Sequence, residues 1–358
     1  MSWEKDLFET LTCIFEDLKT AAQNGDHDKD SLTLDGKLFL VAPTGHKSNG
    51  PMYRWRLLCD GVTISIARQH EPQKEVPNVL VHIGSLYLMK NGGLLTAWPD
   101  IQAMLAAFQG RIEVVKLSRL DGCVDLADID VAEYVRRYES NCFISKARKG
   151  GVFNDGKRKT GFKLGTGKQI RVYDKRLEVE HQPEKMLLLI QTRWGGRYPA
   201  CATRVEFQVG SEGLRDLGIS TLDDYEKKRA SLFHYLTHDW FRITDTAPKD
   251  NHHSRIETSA IWTTVQEAFS LWTQQETACP LVHKIDTLPD YSPLVKQALG
   301  CVGSIVALKD ITFDDKETLR HHLKAEMWNM LNKEDMALIL KQIEHKRIRF
   351  NALGRVFH

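Results

Sequence analysis

Three segments of the chain place polar side chains at every second residue and apolar side chains between them. Their polar members are Arg119, Asp121, Cys123 and Asp125 in the first segment, Arg171, Tyr173 and Lys175 in the second, and Arg204, Glu206 and Gln208 in the third. Alternate residues of a β-strand point to the same face of a sheet. Each segment is therefore predicted to be a strand with one apolar face and one charged face.

The charged faces combine the side chains that phosphoryl transfer requires. Carboxylate oxygens are the ligands that Mg²⁺ and Mn²⁺ prefer, and a tyrosine can serve as a covalent nucleophile. Arginine and lysine stabilise the charge that develops on a phosphate in the transition state. The set suits attack by a tyrosine on a DNA phosphodiester. Half-solvated antiparallel sheets in general show the same alternation, so the spacing alone also permits a purely structural interpretation.

Charge is unevenly distributed along the chain, although the 358 residues carry a formal net charge of only +2. Residues 1–35 contain nine acidic and three basic residues, whereas residues 136–176 contain thirteen basic and three acidic residues. Three phenylalanines are interleaved with these bases. Basic stretches with aromatic residues are typical of proteins that bind nucleic-acid phosphates and stacked bases. A solvated basic surface is the alternative, and the position of Tyr173 within the stretch favours DNA binding.

The three segments lie in motifs that resemble a known family. The motifs are SRLDGCVDL at 118–126, TGFKLGTGKQIRVYDKRLE at 160–178 and TRVEFQVGSEGLRDLGI at 203–219. They resemble the Rep_trans replication initiation factors, which comprise plasmid and phage rolling-circle initiators and related relaxases of integrative conjugative elements. The resemblance extends over about residues 78–245, and its most specific element is R-x-Y-D-K-x-x-E. The family usually carries other residues where Gly122 and Cys123 stand here.

The resemblance implies a role for each motif. Tyr173 would be the nucleophile that attacks one DNA strand, forms a 5′-phosphotyrosyl link and frees a 3′-hydroxyl. Lys175 and Arg204 would be further catalytic residues, and Glu178 would contact phosphate or support the site. The acids implied for a Mg²⁺ or Mn²⁺ site are Asp121, Asp125 and Glu206, with either aspartate as the one that binds the ion directly. The predicted DNA-binding residues are Arg119, Lys146, Arg148, Lys149, Lys157, Arg158, Lys159, Lys163, Lys168 and Arg171.

The predicted function is origin-specific nicking and joining of DNA at the start of rolling-circle replication. A conjugative relaxase would use the same chemistry at a transfer origin. A non-catalytic DNA-binding regulator and a small-molecule enzyme are rivals from other classes. The expected partners are origin DNA, as a double-stranded hairpin and as a single strand, and a second copy of the chain in a homodimer. A helicase and replisome of the host or element are also expected, because the chain contains no P-loop.

A cytoplasmic protein without a membrane partner is expected. The sequence contains no run of about 18 apolar residues, which a transmembrane helix would need. Its N-terminus, MSWEKDLFET, lacks the apolar core of a signal peptide. The seven cysteines are odd in number and form no C-x-x-C pair, which indicates reduced thiols.

The pattern of elements predicts an α+β fold. An antiparallel β-sheet catalytic domain with flanking helices is expected, followed by an α-helical C-terminal region. The predicted domains are an N-terminal helix and linker at 1–35, the catalytic nicking domain at 36–245 and the helical region at 246–358.

Hydrophobic periodicity and turn residues predict the individual elements. Strands are expected at 37–41, 53–57, 62–66, 79–88, 111–126, 168–175 and 202–209. Helices are expected at 1–20, 99–108, 131–138, 221–243, 257–275, 292–300, 316–331 and 333–348. Asp60-Gly61 between two of the strands is a strong signal for a two-residue hairpin turn.

Overall fold

The computed structural model describes residues 1–47, 52–73, 76–248, 256–273, 301, 304–305, 308–309, 315–332, 336 and 340. The chain divides into two compact units, Met1–Leu281 and Val282–His358. Helices and antiparallel sheets make up the first unit, which confirms the predicted α+β class. The domain boundaries at 35 and 245 stay a prediction.

The described elements follow one another in this order. The first part of the chain contains α1 (Lys5–Asn24), β1 (Ser31–Leu34), β2 (Lys37–Val41), β3 (His46–Lys47), β4 (Met52–Tyr53), β5 (Trp55–Cys59), β6 (Val62–Ile66), β7 (Val79–Ile83), α2 (Ser85–Lys90) and α3 (Leu94–Ala106). The next part contains β8 (Arg119–Ala127), α4 (Val131–Glu139), β9 (Phe143–Ser145), β10 (Gly150–Asp155), β11 (Arg158–Gly165), β12 (Lys168–Asp174), α5 (Lys175–Glu178), α6 (Pro183–Thr192), β13 (Ala202–Gly210), α7 (Ser211–Asp216), α8 (Leu222–Tyr235), a π-helical turn (Leu236–Trp240), β14 (Phe241–Ile243) and α9 (Ala260–Thr273). The described helix of the second unit is α10 (Lys316–Leu331).

The first sheet has five antiparallel strands in the order β1-β2-β5-β6-β7. Phe39 and Leu57 point from it into a core that α1 and α3 close with Phe15 and Ile101. The predicted hairpin between β5 and β6 is confirmed, since Asp60-Gly61 connects them and both residues have positive φ, 48° and 84°. Positive φ at both central residues matches the right-handed twist of paired strands.

The second sheet has five antiparallel strands in the order β10-β11-β12-β13-β8. Helices α4, α8 and α9 pack against one face of it, with Tyr134, Phe233 and Trp262 among the buried residues. Gly122 lies on this buried face, where a Cβ atom would stand 2.2 Å from the ring of Phe233. A side chain larger than hydrogen would therefore push α8 away from the sheet.

Three predicted elements differ from the structure. The strand expected at 111–126 begins only at Arg119. In the helix expected at 221–243 the α-helix ends at Tyr235, a π-helical turn continues to Trp240, and β14 then pairs with β9. The reason is that Phe241 and Ile243 alternate with Arg242 and are buried, which is the pattern of a strand. The strand expected at 79–88 ends at Ile83, and α2 follows it.

Three of the other predicted helices are observed close to their expected bounds. Helices at 131–138 and 316–331 are observed within one residue of the expected bounds, and the helix at 257–275 is observed as Ala260–Thr273. The helices predicted at 292–300 and 333–348 fall outside the described residues, apart from residues 336 and 340.

The six cysteines that the structure describes are free thiols. Within the described residues, no helix has the length and apolar character to cross a membrane.

Candidate active site on the second sheet

The three charged segments are neighbouring strands of the second sheet. Arg204 of β13 lies between Tyr173 of β12 and Asp125 of β8 in the register of the sheet. Two residues along, Glu206 lies between Arg171 and Cys123. Because residues opposite one another in paired strands point to the same face, these side chains share the face that α4, α8 and α9 leave uncovered.

One end of this face is covered by the segment between β12 and β13. That segment contains α5 and α6, and its Val179, Leu189 and Trp194 form a small apolar cluster with Ala202 of β13. The charged residues beside the cluster are consequently buried, whereas Arg171 and Asp121, further along the face, stay partly exposed. The sheet thus offers a rim where a buried charge cluster meets solvent.

Tyr173 stands at this rim. Its hydroxyl donates a hydrogen bond to Glu206 Oε2 at 3.0 Å, and Arg171 Nη1 donates to Glu206 Oε1 at 3.1 Å. Burial raises the pKa of Tyr173 well above its ordinary value, and the positive charge of Arg204 opposes that rise. The phenol is therefore neutral at neutral pH and needs a base to become a nucleophile. Glu206, which accepts the hydrogen bond from the hydroxyl, is placed to be that base.

Glycine opposite Tyr173 permits the close approach of β11. Gly161 is the register partner of Tyr173, and its φ is +154°. A Cβ atom there would lie 2.2 Å from the carbonyl oxygen of Val172 and 2.9 Å from Tyr173 Cβ. The glycine-rich part of the tyrosine motif therefore sets the position of the tyrosine.

Asp125 belongs to a buried ion pair. Arg204 donates to both of its carboxylate oxygens, at 2.6 and 2.7 Å. The side chain of Asp125 is only 1% exposed and that of Arg204 only 5%. Burial alone would raise the pKa of Asp125, but the hydrogen bonds and charge of Arg204 hold it below its ordinary value. Asp125 is therefore a carboxylate that neutralises an arginine beneath the site.

Lys175 is the most deeply buried cation of the cluster. It is 1% exposed and donates a hydrogen bond to Glu178, which also accepts one from Lys185 at 3.0 Å. Burial and the charge of Arg204 lower the pKa of Lys175 to about 8, although Glu178 opposes this. Its ammonium lies 5.8 Å from the centre of the Tyr173 ring.

The structure does not bring the three predicted metal ligands together. Asp121 and Asp125 are four residues apart on one strand, which places their Cα atoms about 13 Å from each other. Asp121 pairs with Arg119, and Asp125 is enclosed by Arg204. Among the described residues, no group of three or more His, Cys, Asp and Glu side chains could hold a metal ion. A single site built from all three acids does not fit this arrangement, and the dependence on metal stays a prediction.

The predicted DNA-binding residues are spread over the β10–β11 hairpin, its surroundings and the charged face. Six of them pair with other groups: Arg119 with Asp121, Lys146 with the ring of Tyr235, Arg158 with Asp174, Lys159 with Glu139, Lys168 with Asp216, and Arg171 with Glu206. The side chains of the other four pair with no described residue: Arg148, Lys149, Lys157 and Lys163. Lys163 is the register partner of Arg171, so an unpaired cation extends the charged face toward the hairpin.

Arg193 is a site residue that the sequence did not reveal. It follows α6, and its Nη1 approaches Asp125 Oδ2 at 3.4 Å and the carbonyl oxygen of Cys123 at 3.3 Å. It stands outside the three alternating segments, at the end of a helix. The charge alternation that identified the other residues therefore carries no signal for it.

Comparisons with known proteins give little beyond this geometry. No family model matches the chain, and no curated protein matches it. A solved structure similar to the chain is described as a rolling circle replication initiator protein from Geobacillus stearothermophilus. The two share 12% sequence identity at a TM-score of 0.42, over 69% of this chain and 85% of that one. A likeness at this level assigns neither a family nor a function.

Proposed function

We propose that the chain is a DNA-nicking and joining enzyme that initiates rolling-circle replication, with Tyr173 as its nucleophile. The observation that carries the proposal is the hydrogen bond from the Tyr173 hydroxyl to Glu206, on a sheet face lined with arginine and lysine. A neutral tyrosine held against a carboxylate has a base within reach of its proton. The basic residues around it suit a phosphodiester.

The proposed step transfers a phosphoryl group from DNA to the tyrosine. Tyr173 Oη passes its proton to Glu206 and attacks the phosphorus, so that a bond from this oxygen to phosphorus forms. The bond from phosphorus to the 3′-oxygen breaks, and the leaving oxygen, on the far side of the phosphorus, takes a proton from water to become a 3′-hydroxyl, while Glu206 returns its proton to water. One phosphate ester replaces another, so the step needs no ATP and its reversal rejoins the strand.

Two arginines stabilise this step, one buried beneath the site and one beside the ring of Tyr173. Arg204, held rigidly by Asp125, is a buried positive charge that makes the phenolate of Tyr173 less costly. Arg171 lies 5.3 Å from the centre of the Tyr173 ring and orients Glu206. Fixed charges in a water-poor site stabilise a transition state without reorganising.

A divalent cation is a separate part of the proposal. Asp121 and Glu206 are the two carboxylates of this face that lie outside the buried pair with Arg204, and they would contact Mg²⁺ or Mn²⁺. Such an ion draws charge from a phosphate. We expect cleavage to stop with EDTA and to return with Mn²⁺, which a gel-based cleavage assay measures.

The test is covalent capture of DNA. Supercoiled and single-stranded DNA carrying the origin of the element that encodes the chain is incubated with the protein and Mn²⁺. We expect a protein–DNA adduct on a denaturing gel, linked through the 5′-phosphate, and its loss in Tyr173→Phe. Tyr198→Phe is the matched control, because Tyr198 is an exposed tyrosine in the segment that covers the same face.

The outcomes separate the rival functions. Normal nicking by Tyr173→Phe would show that the nucleophile is wrong. DNA binding without an adduct would favour a non-catalytic regulator, and salt-insensitive or absent DNA binding would favour a small-molecule enzyme. An adduct at a transfer origin in place of a replication origin would identify a relaxase with the same chemistry.

A further inference from the structure

Arg193 is placed at the charged face by the end of α6. Its backbone N–H donates to the carbonyl oxygen of Leu189 at 2.8 Å, so the residue completes the last helical turn. The next residue, Trp194, is buried in the apolar cluster that holds the covering segment on the sheet. The guanidinium therefore reaches the edge strand β8 from a fixed point of the backbone.

The contacts of Arg193 are long for an arginine. Nη1 lies 3.3 Å from the carbonyl oxygen of Cys123, 3.5 Å from its sulfur and 3.4 Å from Asp125 Oδ2. Arg204 approaches the same carboxylate at 2.6 and 2.7 Å and takes both oxygens. Because charged hydrogen bonds are normally 2.7–2.9 Å long, Asp125 is satisfied by Arg204 and only loosely held by Arg193.

The charges around Arg193 do not balance. Two neighbouring ion-pair groups, close enough for Arg204 to affect Lys175, contain four cations and two carboxylates: Arg193 and Arg204 with Asp125, and Lys175 and Lys185 with Glu178. Surplus positive charge away from water is unfavourable unless an anion joins it. Arg193 is 30% exposed, whereas Arg204 is 5% exposed, so an anion from solvent reaches the cluster at Arg193.

The same point of the face lies beside the tyrosine. Cys123, which Arg193 contacts, is the register partner of Glu206, and Glu206 holds the hydroxyl of Tyr173. Paired strands stand about 4.8 Å apart, so Cys123 on β8 and Tyr173 on β12 lie two strand spacings, roughly 10 Å, from each other across Glu206 on β13. A phosphate group above Cys123 would therefore have Arg193 on one side and Tyr173 on the other.

We propose that Arg193 binds the phosphate that Tyr173 attacks, through its non-bridging oxygens above Cys123. The inference rests on the proposed function, because it takes the phosphodiester of a DNA strand as the ligand. A guanidinium presents two parallel N–H groups to a phosphate. Its charge then opposes the negative charge that grows on those oxygens in the transition state.

The experiment compares single-turnover cleavage by the full chain at saturating DNA. We expect Arg193→Gln to slow cleavage about 100- to 1,000-fold, as loss of an oxyanion-binding donor does, and Arg193→Lys to recover part of the rate. Arg197→Gln is the matched control and should cleave as wild type, because Arg197 lies in the same segment but is exposed and pairs with Asp128.

A phosphorothioate at the scissile position distinguishes phosphate contact from a structural clamp. In the wild type, sulfur in place of the oxygen that Arg193 contacts should slow cleavage of one diastereomer. In Arg193→Gln that difference should shrink. An unchanged thio effect in a slowed Arg193→Gln, or a wild-type rate, would overturn the proposal.

Inorganic phosphate tests the site apart from nicking. Calorimetry should show that inorganic phosphate binds the wild type. Its affinity for Arg193→Gln should be about 10-fold lower or weaker still. If wild type forms no adduct with any DNA but this difference holds, the proposed function fails and the anion site stands. If adducts form but phosphate binds both proteins equally, Arg193 is not the phosphate-binding residue.

Discussion

Two sheets of the same size and the same antiparallel pairing differ in what their uncovered faces carry. On the first sheet the face turned away from α1 and α3 presents Leu38, Leu40 and Leu58 to solvent. On the second sheet the corresponding face presents Arg171 and Glu206, and helices from an inserted segment cover one end of it.

The difference shows where the chemistry of the second sheet comes from. An open face would leave its charges hydrated, and exposed ion pairs contribute little. The insertion between β12 and β13 removes water from Lys175, Asp125 and Arg204. Burial lowers the pKa of Lys175, whereas the opposite charges of Asp125 and Arg204 outweigh burial and keep both of these groups charged. The sheet supplies the register, and the insertion supplies the low dielectric in which fixed charges act strongly.

The largest expected effect is the loss of cleavage rate when Glu206, the proposed base, is replaced. Glu206→Gln keeps the shape of the side chain but removes the acceptor charge beside Tyr173, so the single-turnover cleavage rate should fall about 100- to 10,000-fold. The melting temperature should stay close to that of wild type. A change of the same type in α1, which packs on the first sheet, is Glu16→Gln; it should leave the cleavage rate unchanged, because Glu16 pairs with Arg54 and not with a residue of the charged face. Cleavage at the wild-type rate by Glu206→Gln would contradict the role of this carboxylate.

The buried ion pair should dominate the stability of the second sheet. Asp125→Ala leaves Arg204 buried without its partner, and we expect a loss of about 3–5 kcal/mol in the free energy of unfolding. Asp26→Ala, at an exposed pair with Lys29 just after α1, should cost about 1 kcal/mol or less. Urea denaturation measures both. Equal losses would show that the covering segment does not desolvate Asp125.

The pH dependence of stability should reveal Lys175. The folded pKa of about 8 lies below that of an unfolded lysine, so between pH 8 and about 10.4 the unfolded chain binds more protons. The buried lysine therefore destabilises the fold fully below pH 8, and this cost disappears as the pH rises. The stability advantage of Lys175→Met over wild type should shrink by at most about 1.4 kcal/mol per pH unit across that window. An advantage that stays constant from pH 8 to 10 would argue against a depressed pKa.

The smallest expected effect concerns DNA affinity. Lys163→Ala removes an unpaired cation next to Arg171, so the slope of log affinity against log salt for single-stranded DNA should fall by about 0.7. Lys47→Ala is the control, since Lys47 is an exposed lysine on the short hairpin of β3 and β4. Identical slopes for the two variants would show that Lys163 does not contact DNA phosphates.

Local patterns predicted much of the fold and part of the site. Alternation identified the strands that carry Asp125, Tyr173 and Glu206, and Asp60-Gly61 identified a hairpin, because both depend on neighbours along the chain. The helix expected at 221–243 was wrong beyond Trp240, because pairing of β14 with β9 overrides the local periodicity. Such pairing joins residues almost a hundred positions apart, which no local window contains.

The sequence by itself determined which side chains share a face of each strand, since that follows from the period of two, and it placed Tyr173 on a charged face. Only the tertiary structure decided that three such faces adjoin in register. It also decided that Asp125 neutralises Arg204 in place of joining Asp121 and Glu206 around one ion, and that Arg193 enters the site from a helix end. These relations depend on distance and burial, which arise only when segments far apart in the chain pack together.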